Sequence, residues 1–140
     1  MLIGQYEHSI DAKGRMNFPA KFREDLGDSF IITKGLKPCV AVYSMEGWKA
    51  FEEKVNRQPE AKAMELRHFY FASATEVEPD RQGRIVIPSH LREYANLEKE
   101  VLVIGTAPLA EIWNKSAWKE YNATLTAQRM METLDSLNDF

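Results

Sequence analysis

Arg15 and Arg84 each stand directly after a glycine, in the runs Asp11-Ala-Lys-Gly14-Arg15 and Asp80-Arg-Gln-Gly83-Arg84. A planar guanidinium held at a turn can do two kinds of chemistry. It can donate a pair of hydrogen bonds to O6 and N7 of a guanine, the commonest specific contact to a base edge. It can also pair with the nearby carboxylate of Asp11 or Asp80 and simply hold the turn. Both hold at once if the aspartate orients the arginine. Asp11, Gly14, Asp80 and Gly83 read as turn formers. An aspartate accepts hydrogen bonds from backbone two residues on, and glycine takes a positive φ without steric cost. Lys13 and Arg81 flank the turns and are placed to meet phosphates, which position a protein on a duplex without reading its sequence. The plainer reading makes them solvated surface cations. Arg23 and Arg92 end short helical stretches. They either meet phosphate or complement the negative end of the helix, and the second is the expectation.

Other chemistries find little support. Asp11 and Asp80 have no partner acid or histidine at a spacing that suits a metal or acid–base catalysis. His8, His68 and His90 are scattered. Cys39 is the single cysteine, which excludes an internal disulfide and any paired-cysteine metal site, and a buried, inert thiol is expected. No Gly-rich phosphate loop, HExxH or GxSxG occurs. No enzyme activity, cofactor or metal is therefore expected. Trp48, Trp113 and Trp118 could serve as base-stacking platforms, but Trp48 and Trp118 recur at helical spacing with Phe51 and Tyr121, so core packing is expected.

The elements that must position these residues occur twice. Asp11–Glu24 aligns with Asp80–Glu93 with six of fourteen positions identical. The offset of 69 becomes 70 after one insertion, and then Gly35 matches Gly105, Tyr43 matches Trp113, Trp48 matches Trp118 and Phe51 matches Tyr121. Each unit reads as a strand (Gln5–Ile10; Ser73–Glu78), the Asp-x-x-Gly turn, and a return strand (Arg15–Phe18; Arg84–Ile87) that closes a hairpin with the arginine at its tip. Pro19 and Pro88 fit the first position of a short helix, which Phe22 and Leu26, or Leu91 and Ala95, make apolar on one side. The strands Phe30–Thr33 and Val40–Tyr43 correspond to Val101–Ile104 and Glu111–Trp113. Ser44 and Asn114 sit where the N-cap of a longer helix belongs. Glu60–Phe71 reads as a further helix, and Ala127–Phe140 as a fraying extension of the last one.

The chain of 140 residues, with 44% apolar and 11% aromatic residues, can bury a core of one compact domain or of two half-sized units that share it. The net charge of −3 argues mildly against nucleic acid. However, Glu132, Asp135 and Asp139 crowd the C-terminal end, whereas Asp11–Glu24 and Asp80–Glu93 lean basic. Local patches suffice for phosphate contact, and several subunits can sum them. No apolar run reaches bilayer-spanning length and no signal peptide is expected, so the expected location is the cytoplasm.

The motif Asp-x-x-Gly-Arg, three strand residues, Pro, and a short helix ending in Arg-Glu resembles the AbrB-type swapped-hairpin DNA-binding domain. Asp80-Arg-Gln-Gly-Arg-Ile-Val-Ile-Pro-Ser-His-Leu-Arg92 is similar throughout to that family's core signature. Two tandem copies, each followed by a Trp-bearing helix, resemble the MraZ family from Met1 to about Leu125. The second return strand is the more apolar (Ile85, Val86, Ile87), whereas the first carries Asn17. The resemblance implies an α+β fold of two pseudo-symmetric AbrB-like hairpin units sharing a β-barrel-like core, each followed by helices. The units are placed at 5–47 and 76–119, with connecting helices at 48–72 and a C-terminal helix or tail at 120–140. It further implies a nucleoid-associated transcription regulator that binds short repeated G-rich boxes in double-stranded DNA of its own promoter, at the division and cell-wall gene cluster, through Arg15 and Arg84, as a ring of subunits. Two other readings stay open. One is the antidote half of a toxin–antitoxin pair, which usually carries one hairpin and a disordered tail. The other is a ring-forming structural protein whose arginines only bridge subunits.

Overall fold

The computed structural model describes residues 1–140. In chain order the elements are β1 (Leu2–Ser9), β2 (Arg15–Asn17), α1 (Ala20–Leu26), β3 (Phe30–Lys34), β4 (Val40–Ser44), α2 (Met45–Asn56) and α3 (Glu60–Leu66). They continue with β5 (Thr75–Val77), β6 (Arg84–Val86), α4 (Ser89–Tyr94), β7 (Glu100–Ala107), β8 (Ala110–Asn114), α5 (Lys115–Ala123) and α6 (Ala127–Asp135). The fold is mixed α and β, with antiparallel pairing throughout.

Six strands form one sheet in the order β1-β7-β8-β4-β3-β5, while β2 and β6 form a separate two-stranded ribbon. The order is unchanged when each strand is exchanged for its counterpart in the other half. The strand before each turn pairs with the opposite half: β1 runs along β7 and β5 along β3. The return strands do the same, β2 on β6. This corrects the expectation of two self-contained hairpins. Within the first unit the local pairing is a single bridge, Ile10 to Met16. Nor is there one closed barrel, because β1 and β5 are the two edges of the large sheet.

The burial pattern explains the exchange. β3 buries Phe30 and Ile32 on one face and Ile31 on the other, and β7 buries Val101 and Val103 on one face and Leu102 and Ile104 on the other. A sheet covered on both sides needs continuous apolar strands rather than alternating ones, and both sequences supply them. One face packs against the ribbon and the short helices α1 and α4. There 19 buried residues from both halves form one core, including Met16, Phe18, Phe22, Phe30, Ile85, Ile87 and Leu91. Tyr6 meets Phe22 edge-on and Phe18 lies over Phe30 at 5.1 Å. Burying one such ring is worth roughly 1.5–3 kcal/mol, and neither half could bury this set alone.

The other face is covered by α2 and α5. The Ser44 side chain accepts from Gly47 N and the Asn114 side chain from Ala117 N, so both N-caps stand where they were expected. Trp48 and Phe51 pack on Tyr43, while Trp118 and Tyr121 pack on Trp113, the last pair stacked at 5.4 Å. The segment after α3 widens into a π turn, Arg67–Phe71, with Ala72 N bonded to Arg67 O. It swings Phe71 onto Trp48 at 4.6 Å and buries Tyr70, whose carbonyl accepts from the buried Thr33 hydroxyl. Two further boundaries differ from expectation. Pro19 and Pro88 occupy the N-cap rather than the first helical turn. The C-terminal segment does not extend α5: Thr126 caps a separate helix, α6, that buries none of its residues.

Candidate nucleic-acid interface

Each turn is built by its aspartate. Asp11 Oδ1 accepts from the backbone N–H of Lys13 and of Arg15, both at 2.9 Å, and Oδ2 accepts from Arg15 Nε at 2.8 Å. Asp80 repeats the pattern with Gln82 N, Arg84 N and Arg84 Nε, all at 2.9 Å. The backbone N–H of Arg15 or Arg84 does most to hold both carboxyls below the ordinary carboxylate range; partial desolvation opposes it, and the guanidinium and the N–H of Lys13 or Gln82 add to the lowering. They therefore stay ionised in mild acid and keep their grip on the arginines. Gly14 and Gly83 adopt φ of +82° and +78° and close the turns by donating to the carbonyls of Asp11 and Asp80.

The grip has a chemical consequence. Asp11 and Asp80 each engage Nε, the inner nitrogen of the guanidinium. The Nη1–Nη2 edge, which matches the paired acceptors of a guanine, is not used in that contact. The arginines are about one-third exposed, at 36% and 33% of their side-chain surface.

The ribbon brings them together. In its register Arg15 faces Val86, Met16 faces Ile85, and Asn17 faces Arg84. Met16 and Ile85 point into the core, so the alternation of a strand puts Arg15 and Arg84 on the outer face together. This differs from an arginine at the tip of each of two separate hairpins: both lie on one shared surface, because the return strands pair with each other. The turns sit at opposite ends of that ribbon, so exposed Lys13 flanks one end and exposed Arg81 the other.

Arg23 and Arg92 have a role that their place in the sequence does not announce. Neither caps the C-terminus of its helix. Arg23 Nε donates back to Phe18 O at 3.2 Å, and Arg92 Nε to Ile87 O at 2.9 Å. Each guanidinium lies against the turn of the opposite half, Arg23 over Gly83 and Arg92 over Gly14. The helix arginine of one half thus packs against the turn of the other, and adds positive charge beside it. The available signal was that both arginines are kept at matching positions of the repeat, but a repeat cannot say which half each one touches.

The remaining candidates are structural. Trp113 and Trp118 are buried and Trp48 is half-buried, all in aromatic clusters on the far face of the sheet. Cys39 is buried, and desolvation, with Glu111 nearby, pushes its thiol up to about 12. No group of three or more His, Cys, Asp or Glu side chains is arranged to hold a metal ion. No helix is long and apolar enough to cross a membrane.

The family model described as "MraZ protein, putative antitoxin-like" matches residues 1–67 and 70–139. The chain is 50% identical over 142 residues to a transcriptional regulator MraZ of Caldanaerobacter subterraneus subsp. tengcongensis, covering 99% of each chain. It is 53% identical over 124 residues to the protein of that name from Alkaliphilus metalliredigens, covering 87% of each. With that of Moorella thermoacetica it shares 52% identity over 123 residues, 86% of each. Matches of this extent, to a model that spans nearly all of the chain, place it: this chain belongs to the MraZ family.

Proposed function

We propose that this protein is a sequence-specific DNA-binding regulator of transcription that lays the β2–β6 ribbon into the major groove. One observation carries the reading: Arg15 and Arg84 share the outer face of a two-stranded ribbon, each aimed by an aspartate that takes Nε and spares the Nη edge. A two-stranded ribbon fits the major groove, and a guanidinium edge fits guanine O6 and N7. Lys13 and Arg81 meet phosphates at either end. The names of the relatives, transcriptional regulators, support the same reading and give no support to an enzyme.

The finer parts of the proposal follow from the repeat. The two halves, 5–47 and 76–119, act as pseudo-symmetric AbrB-like units that build one ribbon between them. Several chains assemble into a ring, so that weak ribbons act together on short G-rich boxes upstream of the protein's own gene, at the division and cell-wall cluster, in the cytoplasm and on the nucleoid. An antidote role is disfavoured by the C-terminal half, which buries Trp113 and Trp118 in an ordered cluster instead of trailing as a tail.

A gel shift tests the function directly, with DNA from just upstream of this gene against scrambled DNA of equal length. The expected result is a complex that forms on the first at salt concentrations where the second is free. Equal binding to both, or binding to neither, overturns the proposal.

A further inference from the structure

The outer face of the ribbon carries four side chains, and only two of them are alike. Arg15 stands opposite Val86, and Asn17 opposite Arg84. The repeat equates Arg15 with Arg84 but Asn17 with Val86. Asn17 is exposed, and Val86 keeps 54% of its surface exposed. Backbone bonds from Ile87 N to Gly14 O and from Phe18 N to Gly83 O flank the ladder. By the alternation of an antiparallel pair, Arg15–Val86 and Asn17–Arg84 are then the non-hydrogen-bonded pairs, with Cα atoms about 4.5 Å apart and side chains at their closest. Each arginine therefore shares its position with a different neighbour, one an amide and the other an isopropyl group.

We propose that Asn17 and Val86 set the base preference of the ribbon and give it a direction on DNA. The inference rests on the DNA-binding reading above. The asparagine amide offers a donor and an acceptor that match N7 and N6 of adenine in the major groove, and an apolar side chain finds its counterpart in the 5-methyl of thymine. Asn17 reads an adenine beside the base that Arg84 contacts, and Val86 packs on a thymine methyl beside the base that Arg15 contacts. The arginines are two residues apart along the ribbon, about 7 Å, which matches two base-pair steps of about 3.4 Å. Four side chains on that footprint cover a box of about four base pairs. With two equal neighbours the box would read the same from either end; an amide at one end and an isopropyl group at the other make it directional.

The test uses the full chain and duplexes selected from a randomised pool. Single thymines in the selected box are replaced by uracil, and single adenines by 7-deazaadenine, which lacks N7. For the wild type, uracil at one position weakens binding about fourfold, the worth of one buried methyl, and 7-deazaadenine at another weakens it about fivefold or more. In Val86→Ala the uracil penalty disappears, and in Asn17→Ala the 7-deazaadenine penalty disappears. Both residues are exposed, so circular dichroism and melting should match the wild type. Selected boxes that are palindromic, or that hold no adenine or thymine beside the guanines, overturn the inference, as do penalties that persist in the alanine variants. Arg15→Ala and Arg84→Ala separate the two readings. If they bind the selected duplex as the wild type does, the DNA-binding reading itself is wrong. If they lose it while the Asn17 and Val86 variants keep every penalty, only this inference is.

Discussion

Gly83 and Arg23 touch across the two halves of the chain: a Cβ placed on Gly83 would stand 2.8 Å from the guanidinium carbon of Arg23. The counterpart contact, Gly14 against Arg92, would leave 3.1 Å. The glycines are needed for their positive φ, and a Cβ there would in addition have to displace the guanidinium end of an arginine from the other half. Gly83→Ala should destabilise the fold by about 1–3 kcal/mol, the range for a non-glycine residue held in a sparsely populated backbone region. It should also weaken DNA binding beyond what the melting shift explains, since it displaces the turn that aims Arg84. Urea melts and binding curves on the same preparation measure both. Unchanged stability would mean that the turn does not hold this geometry.

Asp11 and Asp80 set the acid limit of the interface. Their carboxyls are held below the usual value in the folded chain. The sign follows from linkage: a depressed folded pKa contributes stability that is present above the unfolded value and is lost as pH falls through the folded one. The turns and the arginine orientation should therefore survive mild acid and loosen only below the ordinary aspartate range. Carboxyl NMR titration should give both midpoints below 3.8, the ordinary value for the group. Asp80→Asn keeps an oxygen for the backbone N–H groups but loses the charge that strengthens those bonds and the ion pair to Arg84, so it should lower the melting temperature modestly and weaken specific binding by more than that loss explains.

Much of this arrangement is written locally and some of it is not. The turn residues, the two N-caps at Ser44 and Asn114, and the aromatic faces of α2 and α5 follow from spacing within one unit. Which strand pairs with which does not. β2 is three residues long and carries nothing that distinguishes its own partner from the equivalent strand of the other half, and the shared core decides the matter, because Met16 and Ile85 must both reach it. The same non-local choice hid the contacts of Arg23 and Arg92 with the opposite turns, and it moved Arg15 and Arg84 from two tips to one face. Nor does spacing within one unit show that the π turn covers α2 by bringing Phe71 onto Trp48 and Tyr70 onto Phe51.

The proposed base-reading and phosphate-binding residues should separate in their salt dependence. Arg15→Ala or Arg84→Ala should cost about 1–3 kcal/mol for each base that is no longer read and should reduce the preference for the cognate box. Lys13→Ala should weaken cognate and scrambled DNA alike and lower the slope of log affinity against log salt by about 1 for each phosphate that is no longer neutralised. Titrations at several salt concentrations distinguish the two classes. If both arginine variants fold normally and bind the cognate box as the wild type does, the assignment of the ribbon is wrong.

Assembly is the remaining expectation. A ribbon flanked by Lys13 and Arg81 neutralises few phosphates, so one chain of net charge −3 has little affinity to offer. A closed ring of subunits repeats one head-to-tail contact and leaves no open end. It also presents many ribbons, so that once one has bound, the next meets its box at high effective concentration. Apolar surface suited to such contact lies on α6, where Met130, Met131, Leu134 and the following Leu137 and Phe140 are exposed. The chain should therefore be larger than a dimer by light scattering at micromolar concentration. Removing residues 127–140 should lower that mass and leave melting nearly unchanged, because α6 buries nothing in the core. Affinity should fall steeply as boxes are deleted from an operator whose boxes are spaced by about one helical turn, so that neighbouring ribbons meet the same face of the duplex. A stable monomer would refute the assembly. Equal affinity for one box and for several would refute multivalent binding even if the ring forms, since a second ribbon that adds nothing has no effective concentration to exploit.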